Sequence, residues 1–200
     1  MVFPTIQFAI FFILIFIPAI RFKDQPKAYP WYILLVNLVF YSFFGLKFLI
    51  ILIVDIIINY IIILLLSKYK SNKFILWLGI LINVGLLGFF KYFVFTTDIL
   101  LQSGILSATT FIPTIVIPVG ISFYTFKIIS HLLDTYRGII VKPKFFAYAS
   151  YVSFFTQITA GPIARAKEYY EDLELPRKYH YNLGNTAVLI LGGLFKKLVL

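Results

Sequence analysis

Residues 48–66 read FLIILIVDIIINYIIILLL, a run whose one charge is Asp55 and whose one amide is Asn59. A helix on the surface of a water-soluble globule is apolar along a stripe and polar elsewhere, whereas this run is apolar all round. Crossing the hydrocarbon core of a bilayer takes about 20 such residues. With no water to bond the backbone, the run must satisfy its N–H and C=O groups internally, which makes it a helix. It is continuous rather than alternating, so a porin-type barrel strand is excluded.

Outward from this run the pattern repeats. Residues 3–20, 31–44 and 74–90 are further apolar runs, and 145–160 is another. Across all 200 residues, 61% are hydrophobic and 13% charged, more apolar than a soluble domain can cover with a wetted shell. The chain therefore reads as all-α, a polytopic helical membrane protein. Its net charge of +10 lies mostly between the runs. Lys and Arg gather in cytoplasmic loops, so the charge marks topology beside anionic headgroups, not nucleic-acid binding. Arg21, Lys23 and Lys27 form one basic loop and Lys68, Lys70 and Lys73 the next, with two crossings between them. Both loops are then cytoplasmic and the N-terminus outside, in a cell membrane. The absence of cysteine excludes disulfides and thiolate chemistry.

Past Lys91 the pattern loosens, and residues 92–107 are mixed. Residues 111–126 are apolar but hold Pro113, Pro118 and Gly120, so a broken or re-entrant helix is expected. The polar segment 164–182 reads as an interfacial helix or loop. The last run, 183–200, contains Lys196 and Lys197 and has no flank on its far side. The chain is therefore expected to be the N-terminal portion of a longer protein, a single transmembrane domain with no internal boundary.

Polar groups inside apolar runs are costly and call for a role. Asp55 and Asn59 lie one helical turn apart, either as a proton or cation site or as an interhelical hydrogen-bonding pair. Asn83 carries the same two readings. His131 and Asp134 are three apart and would share a helical face, as an oriented base or as a histidine hydrogen-bonded at a helix end. His180, among tyrosines, reads as a solvated surface residue. Gln157, Gly161, Pro162 and Arg165 form a second polar group, whose arginine could grip an anionic donor or reach to headgroups. No metal-ligand cluster, phosphate loop or nucleotide motif is present in the sequence.

Residues 118–138, PVGISFYTFKIISHLLDTYRG, resemble a signature of the membrane-bound O-acyltransferase family, in the branch that holds the alginate O-acetyltransferases. Residues 151–165, YVSFFTQITAGPIAR, are similar to that branch's next signature, and LGFFKY at 87–92 and GLFKK at 193–197 follow the same order. Two positions depart from the pattern: His131 stands where an aromatic residue is expected, and Thr156 where proline is usual.

The resemblance implies a ring of membrane helices, some broken or interfacial, around a buried funnel. It implies transfer of an acyl group, acetyl being expected, to hydroxyls of an exported polysaccharide or cell-envelope polymer. The donor would be a cytoplasmic thioester, acyl-CoA or an acyl carrier, with no bound cofactor and no metal. Extracytoplasmic acyl-transfer proteins would be partners. The family's catalytic histidine would lie beyond Leu200, so no catalytic residue is expected here and the chain alone would be inactive. Asp134, Arg137, Gln157 and Arg165 are the expected funnel-supporting residues, and Asp55, Asn59, Asn83 and His131 the structural polar ones. The competing expectations are a non-catalytic membrane scaffold, and a transporter, which would account for Asp55 and the interrupted 111–126 run.

Overall fold

A computed structural model describes residues 6–22, 25, 28–69, 72–103, 116–159, 161 and 164–174, with isolated positions from 184 to 196. Among these residues the architecture is wholly helical: α1 (Ile6–Phe22), α2 (Tyr29–Ser42), α3 (Leu46–Lys68), α4 (Lys73–Gln102), α5 (Ile121–Tyr136), α6 (Phe145–Val152) and α7 (Ala166–Glu174). Two spans, Leu46–Lys68 and Lys73–Phe93, are long and apolar enough to cross a membrane, while α1 is a shorter apolar helix. Their outward faces carry Ile50, Val54, Ile61, Trp77 and Leu81, all exposed. Apolar groups that would aggregate in water are at rest against lipid, and the chain is a helical membrane protein.

The local chemistry explains the boundaries. Gly45, at φ +127°, separates α2 from α3 in a backbone conformation that a side chain would resist. Asn72 caps α4, its side chain accepting from the Phe74 and Ile75 amides at 2.9 and 3.3 Å. α4 continues well past residue 90, through the segment whose composition is mixed. No proline or glycine interrupts residues 89–102, so no breaker ends the helix there. The 145–160 run behaves the opposite way: α6 ends at Val152 and turns follow. The 111–115 stretch of the expected broken helix and residues 175–182 of the interfacial segment, His180 included, lie outside the described residues, as does most of 183–200.

α5 is the hub, packed against α3, α4, α6 and α7, and α6 in turn lies against α2. Gly79 permits the α4–α5 approach, since a Cβ there would stand 2.9 Å from Leu132 and 3.1 Å from Ile62. Small residues at such crossings are how membrane helices come close. On the α2 side an aromatic layer of Phe11, Phe40 and Phe155 joins α1, α2 and the turn after α6, with ring centroids 5.4–6.0 Å apart.

Candidate functional site

The polar interior gathers where α6 ends. Asn37, fully buried on α2, donates to the Ser150 carbonyl at 3.0 Å and accepts from the Phe155 amide at 3.1 Å. The first bond goes to a carbonyl that the last turn of α6 leaves open, the second to an amide of the turn that follows. Lys127 of α5, also fully buried, reaches the same place from the other side. Its Nζ donates to the Tyr151 carbonyl and to Gln157 Oε1, the latter at 3.2 Å, and sits 4.4 Å from the centre of the Tyr151 ring. Cations are favoured at helix C-termini and over aromatic faces, so this amine fits its seat.

Two glycines complete the turn. Gly120, at φ +76°, lies so near the turn that a Cβ would stand 2.1 Å from the Ile158 carbonyl oxygen. Gly161 folds back onto Gln157, where a Cβ would be 2.4 Å from that residue's Cα. The segment from Ser153 to Thr159 is thus pinned by Asn37, Lys127 and Gly120, from two helices and a turn, and it carries Gln157 with it.

Beside it lies His131, fully buried in a cage of Tyr148, Tyr151 and Tyr170. Its Nε2 is 2.8 Å from the Tyr170 hydroxyl and its Nδ1 is 3.3 Å from Thr135 Oγ1. The Thr135 hydroxyl donates to the His131 carbonyl at 2.9 Å, so it has its lone pairs left for an Nδ1–H. Burial pushes the Tyr170 phenol well above its ordinary value, so it keeps its proton and can donate to Nε2. Both ring nitrogens are then engaged. The shared face with Asp134 does not become an Asp–His pair: the partners are Thr135, on the same helix, and Tyr170, on α7.

The four funnel-supporting candidates are dispersed. Gln157 lies in the pinned turn. Asp134 is half-buried, and its carbonyl accepts from the Ile139 and Ile140 amides after α5. Arg137 is exposed and lines a cavity of 260 Å³ with Thr135 and Ser67, whose hydroxyl finds no partner among the described residues. Arg165 is exposed just before α7, and its carbonyl takes the Tyr169 amide at 3.2 Å. The three residues reserved for structure in the long helices do meet. Asn83 Nδ2 donates to Asn59 Oδ1 at 2.6 Å, and Asn59 Nδ2 donates to Asp55 Oδ1 at 2.9 Å. No group of histidine, aspartate and glutamate among the described residues could hold a metal.

Sequence reasoning missed Asn37, Lys127, Ser150 and the tyrosine cage. For Lys127 a signal existed: a lysine within the apolar stretch 117–129 must find carbonyls or a carboxylate. For Asn37 the partners lie 113 and 118 residues away, and nothing local announces them.

Known proteins share this sequence. The peptidoglycan O-acetyltransferase of Helicobacter pylori is 33% identical over 90% of this chain and 40% of its own length. The probable alginate O-acetylase AlgI of Pseudomonas aeruginosa is 30% identical over 84% of this chain and 34% of its own. The protein of the same name from Pseudomonas syringae pv. tomato matches equally, at 30% over 84%. The chain is a homologue of these proteins. It spans 34 to 40% of the length of these relatives. No family model and no solved structure matches the chain. The stretches 118–138 and 151–165 supply Lys127, His131, Tyr151 and Gln157 to the pinned turn and the tyrosine cage, while Asn37, Tyr148 and Tyr170 come from outside them.

Proposed function

We propose that this chain forms the N-terminal portion of a membrane O-acetyltransferase, which moves an acetyl group from a cytoplasmic thioester to hydroxyls of an exported polysaccharide or envelope polymer. The observation that carries the reading is the identity to a peptidoglycan O-acetyltransferase and to alginate O-acetylases over 84–90% of the chain. The pinned turn supports it, since residues of both signature stretches, Lys127 and Gln157, meet in a buried polar centre between helices. The basic loops at 21–27 and 68–73 would lie on the cytoplasmic side, where the donor is made, with the N-terminus outside.

The chemistry is acyl transfer. A general base takes the proton of the acceptor hydroxyl as its oxygen attacks the thioester carbonyl, and the thiolate leaves with that proton. His131 is not offered as that base, because both its nitrogens are bonded and its ring is sealed among tyrosines. This chain contributes the walls and a rigid hydrogen-bonding frame: Lys127 and Gln157 at the turn, and Arg165, exposed beside it and free to meet an anionic donor. The reading is tested by deleting the gene in its source organism and measuring ester-linked acetate on the cell-envelope polymers. Loss of acetate that the intact gene restores supports it, and unchanged acetate on every polymer refutes it.

A further inference from the structure

The pinned turn fixes one side chain twice over. Gln157 is half-buried, and its stem lies against Gly161, where a Cβ would stand 2.8 Å from the Gln157 Cβ and 2.9 Å from its Cγ. Its Oε1 accepts from the Lys127 ammonium at 3.2 Å. An ammonium has only protons to give, so the oxygen end of the amide must face it and the Nε2 end must face away. That NH2 group has no acceptor among the described residues, yet it is not sealed off as the unpartnered Tyr124 and Tyr148 hydroxyls are. The charge behind it lacks a counter-ion. Lys127 is 1% exposed, and its partners are the Tyr151 carbonyl, the Gln157 oxygen and the face of the Tyr151 ring, with no carboxylate among them. A buried cation in that position is weakly screened and draws negative charge toward its open side. A hydrogen bond at one end of an amide also strengthens the donor at the other.

We infer that Gln157 Nε2 is a preorganised donor to the oxyanion of the acetyl-transfer step, and that Lys127 is the residue that positions and polarises it. The inference rests on the acetyl-transfer reading above. As the acceptor hydroxyl oxygen bonds to the acetyl carbon of the thioester, the carbonyl π pair moves onto the carbonyl oxygen and the hydroxyl proton passes to the base. An amide N–H backed by an ammonium binds that charged oxygen more tightly than the neutral carbonyl it came from, which is what accelerates the step. Collapse restores the C=O bond and expels the thiolate, which leaves with the proton. A standing phosphate would call for several converging donors, whereas a single amide matches a single oxygen.

The test measures steady-state acetyl transfer to isolated envelope polymer by the full-length protein, at equal amounts of folded enzyme. The labelled donor is whichever of acetyl-CoA and an acetylated carrier protein the wild type accepts. Gln157→Glu keeps an acceptor for Lys127 but has no N–H, and it should lower kcat about a hundredfold or more while KM for the donor stays within about threefold. Lys127→Gln keeps a donor to Gln157 but no charge, and it should lower kcat about tenfold. Added to Gln157→Glu, it should cost less than about threefold more, because the polarised donor is already gone. Should Gln157→Glu fail to accumulate, Gln157→Met, of similar length and without an N–H, carries the same test. A kcat within about threefold of wild type for the Gln157 variant, a loss confined to KM, or losses at Lys127 and Gln157 that simply multiply would overturn the inference. Wild-type protein that transfers no acetate would instead overturn the acetyl-transfer reading, and this inference with it, so the wild-type measurement tells the two failures apart.

Discussion

Asn37→Ala is the most informative single change in the described core. The side chain is fully buried and makes two hydrogen bonds, at 3.0 Å to the Ser150 carbonyl and 3.1 Å to the Phe155 amide. Alanine removes both and leaves two backbone groups unpaired where water is scarce. A neutral intramolecular hydrogen bond contributes about 0.5–1.5 kcal/mol. Side-chain bonds within membrane proteins average about 0.6 kcal/mol. Two such bonds together place the loss at about 1–3 kcal/mol, since the orphaned groups gain no new donors. One tenfold step in the folded-to-unfolded ratio is about 1.4 kcal/mol, so this ratio should fall roughly 5- to 140-fold. Unfolding in mixed micelles of dodecylmaltoside and SDS, followed by tryptophan fluorescence, measures it. Asn37→Asp retains an acceptor for the Phe155 amide but sets a buried carboxylate oxygen against the Ser150 carbonyl, so near neutral pH it should destabilise at least as much as alanine. A change below about 0.3 kcal/mol for Asn37→Ala would show that the turn is not pinned from α2.

The two strained glycines should separate cleanly. Gly120→Ala meets both a positive φ and the Ile158 carbonyl at 2.1 Å and should abolish folded protein in size-exclusion profiles, whereas Gly138→Ala, at φ +74° in open space, should cost only about 1–2 kcal/mol. His131→Gln should lower acetyl transfer by the full-length protein less than tenfold; a loss of a thousandfold at normal folding would make His131 the base after all. Arg165→Ala should reduce transfer severalfold while membrane insertion and stability stay level, because its side chain is exposed and the bond to the Tyr169 amide is made by its carbonyl. Unchanged transfer at normal expression would remove Arg165 from the donor's path.

The helices were legible because lipid imposes a simple rule: a long uninterrupted apolar run must be a helix, and residues 48–66 could be little else. Where runs were interrupted, composition misled in both directions. Residues 91–102 look mixed yet stay helical, since they hold no breaker. Residues 153–159 look apolar yet turn, because Asn37 and Lys127 pay the cost of the open backbone groups from far along the chain. The His131–Asp134 spacing is a true helical register, but register says only which side a residue faces. The partner that arrives on that side, Tyr170, stands 39 residues further on. Site residues read from local motifs were therefore scattered, while Gln157 was placed by contacts no motif displays.

The central claim is chemical, and one measurement addresses it directly. Membranes carrying the full-length protein are incubated with a thioester donor labelled in its acetyl group and with polymer isolated from the source cell envelope. The account expects label on the polymer in an ester linkage released by mild alkali, dependent on the protein and absent when the donor is free acetate. Folded, membrane-inserted protein that transfers no label from acetyl-CoA or an acetylated carrier to any envelope polymer would contradict it.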